Sequence, residues 1–325
     1  MYKRVIRRTL DIWNPFNKAE IDKVLEEYKP DIIHTNGLYD LSTIVWEAAH
    51  KKKIKIVHTL RDYHLLCPFT SLHCSKVEDK CPYVPPKGFC RVHRAINRVK
   101  AKYVDVVTAP SSVTLNLLIK NQFASSEKKV VQNATEFDVS EINKLLARRK
   151  NAKAHTLKFV YLGTLSKPKG IQWMISSFND LPEEAELYIA GKGKLRDYVE
   201  EQAQNNKKIH FVGFLNETQV DELLKECDVL LCPSQWQEPF GRVVLDAYKH
   251  AMPVICSDQG ALPSLVDDGK TGFVIESGNQ QALTAAMQHY VEAIDDICKH
   301  AAMGVEKLNL YSLENQARAF CEIYE

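Results

Sequence analysis

Four short apolar runs in the second half of this 325-residue chain, 158–162, 187–190, 209–212 and 229–232, end in the same way. Each stops at a glycine or proline, and an apolar pattern at helical spacing follows it. Strands that alternate with helices are joined by crossovers, so the pattern demands a parallel sheet with helices on its faces, an α/β fold. In such sheets ligands seat outside the carboxyl ends of the strands, which makes the loops at 163–170, 191–193, 213–214 and after Cys232 converge on one cleft. Eleven of the 13 glycines lie beyond residue 150, where close passage of backbone past a ligand needs them.

The last of these loops carries the densest information. In Ser234 to Ala247, Glu238 sits in the loop, and a helix begins near Gly241 with Val244, Ala247, Tyr248 and Ala251 at helical spacing before Pro253. Its first N–H groups, near Phe240, Gly241 and Arg242, have no partner within the helix and carry the positive end of its dipole, a seat for an anion. Asp246 lies about a turn and a half into that helix.

A glutamate, then Pro-Phe-Gly, then a second acid eight positions after the first resembles the E-x7-E signature of retaining glycosyltransferases of family 4, which have the GT-B fold. Stretches 251–255, 260–266 and 269–274 are similar to that family too. Asp246 stands where the family usually has glutamate, which shortens the reach by one methylene. The resemblance runs from about Asp31 to Val274, is specific in the second half and looser before Glu136. It implies two Rossmann-like domains, an acceptor-side domain over residues 1–148 and a nucleotide-sugar domain over 149–310, with a terminal helix at 311–325 crossing back to the first.

The resemblance also implies roles. Glu238 would contact the donor sugar and stabilise oxocarbenium-like charge, and Asp246 would bind the ribose hydroxyls. Lys169, beside Gly170, would neutralise the donor diphosphate, helped by N–H groups near Phe240, Gly241 and Arg242. Gly163, Thr164 and Ser234 would line the same site, and Gly191 and Gly193 would let the chain pass beside the nucleoside. The family usually has arginine at the position of Thr164, so Lys167 or Arg242 would have to complete the clamp. The donor is expected to be a UDP- or GDP-sugar, with no other cofactor and no metal required. Taken singly, these residues have plainer readings: Lys169 as a solvated loop lysine, Glu238 as a helix cap, Asp246 on a solvated helix face.

The first half alternates strands near 31–34, 54–57, 104–107 and 129–131 with helices, one of them capped by Ser111-Ser112. Ahead of Lys29-Pro30-Asp31 the chain is shorter than the family's first domain, and no glycine precedes Gly37 where the family has a Gly-Gly loop. Either the given start is internal or the first domain is reduced, and in both cases a strand edge is expected to lie uncovered. Arg61 falls on the family's histidine in a Thr-x-His-Asp stretch, and it could still hydrogen-bond a sugar hydroxyl or phosphate.

Charge divides the chain: residues 1–150 hold 27 Lys and Arg against 16 Asp and Glu, and residues 151–325 hold 16 against 25. The basic half is either a solvated surface or one that meets anionic lipid or a phosphate-bearing substrate, and Lys3, Arg4, Arg7 and Arg8 open it beside Val5, Ile6 and Leu10. No nucleic-acid-binding motif accompanies the charge. Cys67, Cys74, Cys81 and Cys90 are dense enough to hold a structural zinc or form a redox-sensitive pair but lack C-x2-C spacing, so free cysteines in an irregular loop stand beside those readings. Cys227, Cys232, Cys256, Cys298 and Cys321 read as buried thiols. With no long apolar run and no signal-peptide pattern, a cytoplasmic protein, peripheral at the inner membrane face, is expected. Sugar transfer to a surface glycan or lipid-linked acceptor is the function implied. The alternatives are a nucleotide-binding partner subunit without catalysis and a GT-B sugar-nucleotide epimerase.

Overall fold

The structure, a computed structural model, describes residues 10–39, 41–70, 72, 88–123, 127–150 and 156–325. The chain forms two compact units, Met1–Asn133 with Gln316–Glu325, and Ala134–Asn315. The basic run at 1–9 lies outside the described residues, as do Cys74 and Cys81.

In the first unit β1 (Ile32–Thr35), β2 (Lys55–Thr59), β3 (Val106–Ala109) and β4 (Glu127–Val130) form a parallel sheet in that order. Val57 of β2 stands beside His34 on one side and Val106 on the other. β3 is buried along its whole length, so it is apolar throughout apart from Thr108, whose hydroxyl pairs with that of Thr59 at 2.6 Å. Ser111 caps the helix Ser112–Lys120, its Oγ accepting from Thr114 N–H at 3.3 Å. Ile323, in the helix Leu313–Tyr324, packs with Val57, Val106 and Val131. β1 ends the sheet, with β2 its only strand neighbour among the described residues.

In the second unit six parallel strands, β5 (Leu157–Leu162), β6 (Ala185–Ala190), β7 (Ile209–Gly213), β8 (Val229–Cys232), β9 (Val254–Ser257) and β10 (Gly272–Ile275), are arranged β10-β9-β8-β5-β6-β7. From β5 the chain steps outward through β6 to β7, then returns to the other side of β5 and steps outward again. This is the doubly wound order, and its direction reverses between β5 and β8. Side chains alternate across the sheet as the strand period requires. Phe159, Leu187, Val229 and Ile255 face one layer with Met174, Phe178, Leu283 and Met287; Val160, Leu230 and Val254 face the other with Val244, Ala247, Tyr248 and Leu308.

The division between units falls after Asn133, ahead of the boundary drawn from the sequence at 148, and the helix Val139–Lys150 explains it. Ile142 is buried in the second unit's core. Arg149 pairs with Asp228 at 3.1 Å, both side chains only 9% exposed, and also donates to the Cys227 carbonyl at 2.5 Å. Asp228 in turn accepts from Lys158 N–H at 2.9 Å, so one buried ion pair ties this helix to the starts of β5 and β8. Among the scattered cysteines Cys227, Cys232 and Cys256 are buried, as expected, but Cys298 is half-buried and Cys321 is exposed, because the helix Leu313–Tyr324 turns Ile323 and not Cys321 inward. Among the described residues no helix is long and apolar enough to cross a membrane.

Two glycines separate conformation from space. Gly170 and Gly213 share φ +75°, but a Cβ on Gly170 would lie 1.8 Å from the Pro233 carbonyl oxygen, whereas one on Gly213 would meet nothing within 4 Å. Both alanine variants should lose ~1–2 kcal/mol of stability to left-handed strain. Gly170→Ala should lose at least about 1 kcal/mol more, seen as a second-unit melting transition about 2–4 °C below that of Gly213→Ala. Coincident melting of the two variants would show that the loops after β5 and β8 are not pressed together.

Candidate functional site

The loops that follow β5 and β8 meet at the point where the strand order reverses. A short 3-10 turn, Lys167–Lys169, follows β5, and Gln235 N–H donates to the Pro168 carbonyl at 2.8 Å, joining the two loops through backbone. The loop after β6 is drawn against the loop after β5 in the same manner. Leu165 N–H donates to the Lys192 carbonyl at 3.0 Å, and a Cβ on Gly191 would lie 1.8 Å from the Gly163 carbonyl oxygen. The glycines singled out in the sequence thus hold three strand ends together, with Gly193 in the same contact against Leu165.

Glu238 is the centre of this arrangement. Its side chain is buried, and one oxygen, Oε1, accepts from Ser234 Oγ at 2.7 Å, from Trp236 Nε1 at 2.7 Å and from the Lys169 ammonium. That ammonium also lies over the Trp236 ring, 4.7 Å from its centroid. A buried carboxylate must be paired, and here three donors from two loops meet the need on a single oxygen. Oε2 has no hydrogen bond among the described residues. The backbone of Glu238 is pinned from the loop after β9: Ala261 N–H donates to its carbonyl at 2.9 Å, and a Cβ on Gly260 would lie 2.2 Å from its nitrogen.

Sequence reasoning did not single out Trp236, Gly260 or Ala261. A signal for Trp236 was present: Ser234, Trp236 and Glu238 are alternate residues, which an extended loop places on one side. Gly260 and Ala261 were marked only as part of the family-like stretch 260–266, since the contact of Gly260 with Glu238 depends on β9 lying next to β8.

The remaining candidates divide. Phe240 turns its ring into the core, 3% exposed and edge-on to Tyr311 at 5.9 Å, leaving only its backbone to the site. Gly241 ends the loop and the helix Arg242–Lys249 begins after it, with Arg242 exposed. Thr164 is exposed, and its carbonyl accepts from Tyr161 Oη at 3.1 Å. Asp246 is half-buried, and nothing hydrogen-bonds its carboxylate among the described residues; its backbone carbonyl pairs with His250 Nδ1 at 2.7 Å, and His250 Nε2 turns instead to Asp221 at 2.8 Å.

In the first unit, considered by itself, Arg61 is exposed, donates from Nε to Asn36 Oδ1 at 3.1 Å and bonds Asn133. His58 is fully buried, with Nδ1 against Thr35 Oγ1 at 2.9 Å and Nε2 buried without a hydrogen bond. Burial, with His64 and His34 beside it, holds His58 well below the ordinary imidazole range, so it is neutral at neutral pH. His64 pairs through Nδ1 with Asp62 at 3.0 Å, and Asp62 accepts from the Tyr39 hydroxyl. Cys67 is buried and Cys90 half-buried. No group of three or more metal-binding side chains gathers among the described residues, and the expected set of four cysteines lies partly outside them.

The unpaired acid makes a pH-dependent expectation. Burial raises the Asp246 carboxyl above the usual range, offset only in part by Lys249, Arg242 and His250. A carboxyl raised in the fold holds its proton more tightly there than in the unfolded chain, so the fold loses stability as pH rises through the folded pKa. Asp246→Asn, which cannot ionise, should therefore melt above the wild type at pH 7, and the gap should close as pH falls below about 4. A variant that melts below the wild type at pH 7 would mean that the carboxylate is paired.

The chain is similar to known proteins over both of its halves. The family model described as glycosyl transferases group 1 matches residues 143–299, and that described as glycosyltransferase family 4 matches residues 3–138. An uncharacterized 42.6 kDa protein in the cps region of Klebsiella pneumoniae is 26% identical over 81% of this chain, which spans 66% of that protein's length. The alpha-monoglucosyldiacylglycerol synthase of Streptococcus pneumoniae is 26% identical over 95% of the chain and 69% of its own. Among solved structures, HepE of Anabaena in complex with UDP superposes with a TM-score of 0.75 at 21% identity, covering 94% of this chain and 81% of that one. The two family models fall on the two halves of the chain, the doubly wound sheet is that of the GT-B neighbours, and the chain belongs to the family 4 glycosyltransferases.

Proposed function

We propose that this protein is a retaining glycosyltransferase that moves a sugar from a UDP- or GDP-sugar to a glycan or lipid-linked acceptor in surface polysaccharide synthesis. The observation that carries the reading is the meeting of Lys169, Ser234 and Trp236 on one oxygen of Glu238 at the carboxyl ends of β5 and β8. Three properties of this group support donor chemistry. The site lies at the reversal of strand order, where doubly wound sheets bind nucleotides. Lys169 is held at one N–H by Glu238, leaving two donors for a diphosphate, whose growing charge in the transition state it would neutralise together with the N–H groups entering the helix Arg242–Lys249. With Oε1 saturated, Glu238 keeps Oε2 for a donor-sugar hydroxyl and its negative charge for the oxocarbenium-like centre. Asp246, whose carboxylate bonds nothing among the described residues, would take the ribose hydroxyls. Attack would come from the face that the diphosphate leaves, preserving the anomeric configuration.

Support for a nucleotide-sugar donor also comes from HepE, whose structures hold UDP and UDP-glucose, and support for a lipid-linked or surface acceptor from the named relatives. The test is a thermal-shift titration with UDP and GDP, followed by transfer assays with the matching sugar donors. One nucleotide at about 100 times its dissociation constant should stabilise the fold by about 2.7 kcal/mol. Lys169→Ala should abolish most of that shift. Glu238→Gln should keep nucleotide binding but lose turnover by roughly 100-fold or more. A cooperatively melting protein that responds to neither nucleotide would overturn the reading.

A further inference from the structure

The helix Gly88–Lys100 is built inside out. Its inward face is polar: His93 is 5% exposed and Asn97 2% exposed. Asn97 Nδ2 donates to the Leu65 carbonyl at 3.2 Å, and Arg94 reaches inward to the Leu66 carbonyl at 3.1 Å and to Asn121 Oδ1 at 2.7 Å. Its outward face is apolar. Phe89, Val92, Ile96 and Val99 follow one another at steps of three, four and three residues, within roughly 80° of the helix circumference. They are 39%, 54%, 36% and 55% exposed. A helix of a soluble unit turns its apolar stripe to the core, so a contiguous ridge turned outward marks a surface that something apolar covers.

The charges beside the ridge say what covers it. Arg91 and Arg98 are exposed along one flank, Lys102 is exposed just past the carboxyl end, and no acid occurs anywhere between Gly88 and Tyr103. Apolar side chains flanked by arginines on one helix face match the interface of an anionic bilayer, where the side chains enter the acyl boundary and the guanidinium groups meet lipid phosphates. We infer that the helix Gly88–Lys100 is a membrane-docking element that seats the first unit on anionic lipid. The inference rests on this helix alone and not on the donor site.

The experiment is co-sedimentation of the full chain with vesicles of phosphatidylcholine, or of phosphatidylcholine mixed with phosphatidylglycerol. The protein should partition onto the mixed vesicles and far less onto the neutral ones, with binding falling as salt is raised. Arg91→Gln with Arg98→Gln should weaken partition roughly 30-fold, at about a kcal/mol per basic group. Val92→Ser with Val99→Ser should weaken it while leaving melting unchanged, since both side chains face outward. Three results would overturn the proposal: equal or absent binding to the two vesicle types, a concentration-dependent dimer that the valine variant abolishes, or a lower melting temperature for that variant, which would mean that the ridge packs within the chain. Because partition is read without any sugar transfer, failure here would leave the donor-site reading standing.

Discussion

The second unit is organised around one charged atom. Oε1 of Glu238 is buried and accepts from a hydroxyl, an indole and an ammonium drawn from the ends of two adjacent strands. An unpaired carboxylate at that depth would cost several kcal/mol, so each donor is a condition for the acid to lie where it does. The demand propagates outward. Lys169 reaches Glu238 because Gly170 lets its turn press on Pro233, and Glu238 holds its angle because Gly260 allows the loop after β9 to lie on its backbone. The site is thus over-determined by glycines at which a side chain would collide with backbone.

The strand order explains why these loops and no others meet. β5 and β8 are neighbours although more than sixty residues separate them, because the chain winds outward in one direction and then restarts beside its first strand. Loops at the ends of the outer strands are farther from that reversal, and those contributing to the site do so through backbone contacts, as Gly191 does against Gly163. The function of a GT-B unit can therefore vary at a few loop positions while the two apolar layers beneath stay fixed.

Much of this was legible in the residues. Runs of four or five largely apolar residues that end at a glycine or proline named four of the six strands of the second unit, and the Ser111 cap marked a helix start. Lys169 and Glu238 could be named from pattern, but their mutual ion pair could not, because it depends on how far two loops reach toward each other. The division between units differs from the boundary drawn at 148 for a related reason: the polar run ending in Arg148-Arg149-Lys150 does not show which unit its helix belongs to, and the burial of Arg149 against Asp228 ties it to the second. Cys321 was read as buried from its apolar neighbours, yet the helix that carries it is covered on one side only. In the helix Gly88–Lys100 residue spacing defines two faces, but spacing has no sign. It took the buried His93 and Asn97 to show that the polar side faces in.

The two acids of the motif are held in opposite ways, and that contrast carries a functional argument. Glu238 has more donors on one oxygen than neutralisation needs, so it is fixed before any ligand arrives. Asp246 is half-buried with no hydrogen bond to its carboxylate among the described residues, and burial raises its pKa, a net cost to the fold. A fold that selected only for stability would have an amide or an apolar residue there, or would turn His250 toward it and not toward Asp221. In the proposed donor-binding reading, a pair of hydroxyls that donate to both carboxylate oxygens of Asp246 would relieve that cost on binding. The preformed acid would then set geometry and the unsatisfied one would supply binding free energy, a division of labour in which affinity for one end of a donor holds its other end in place.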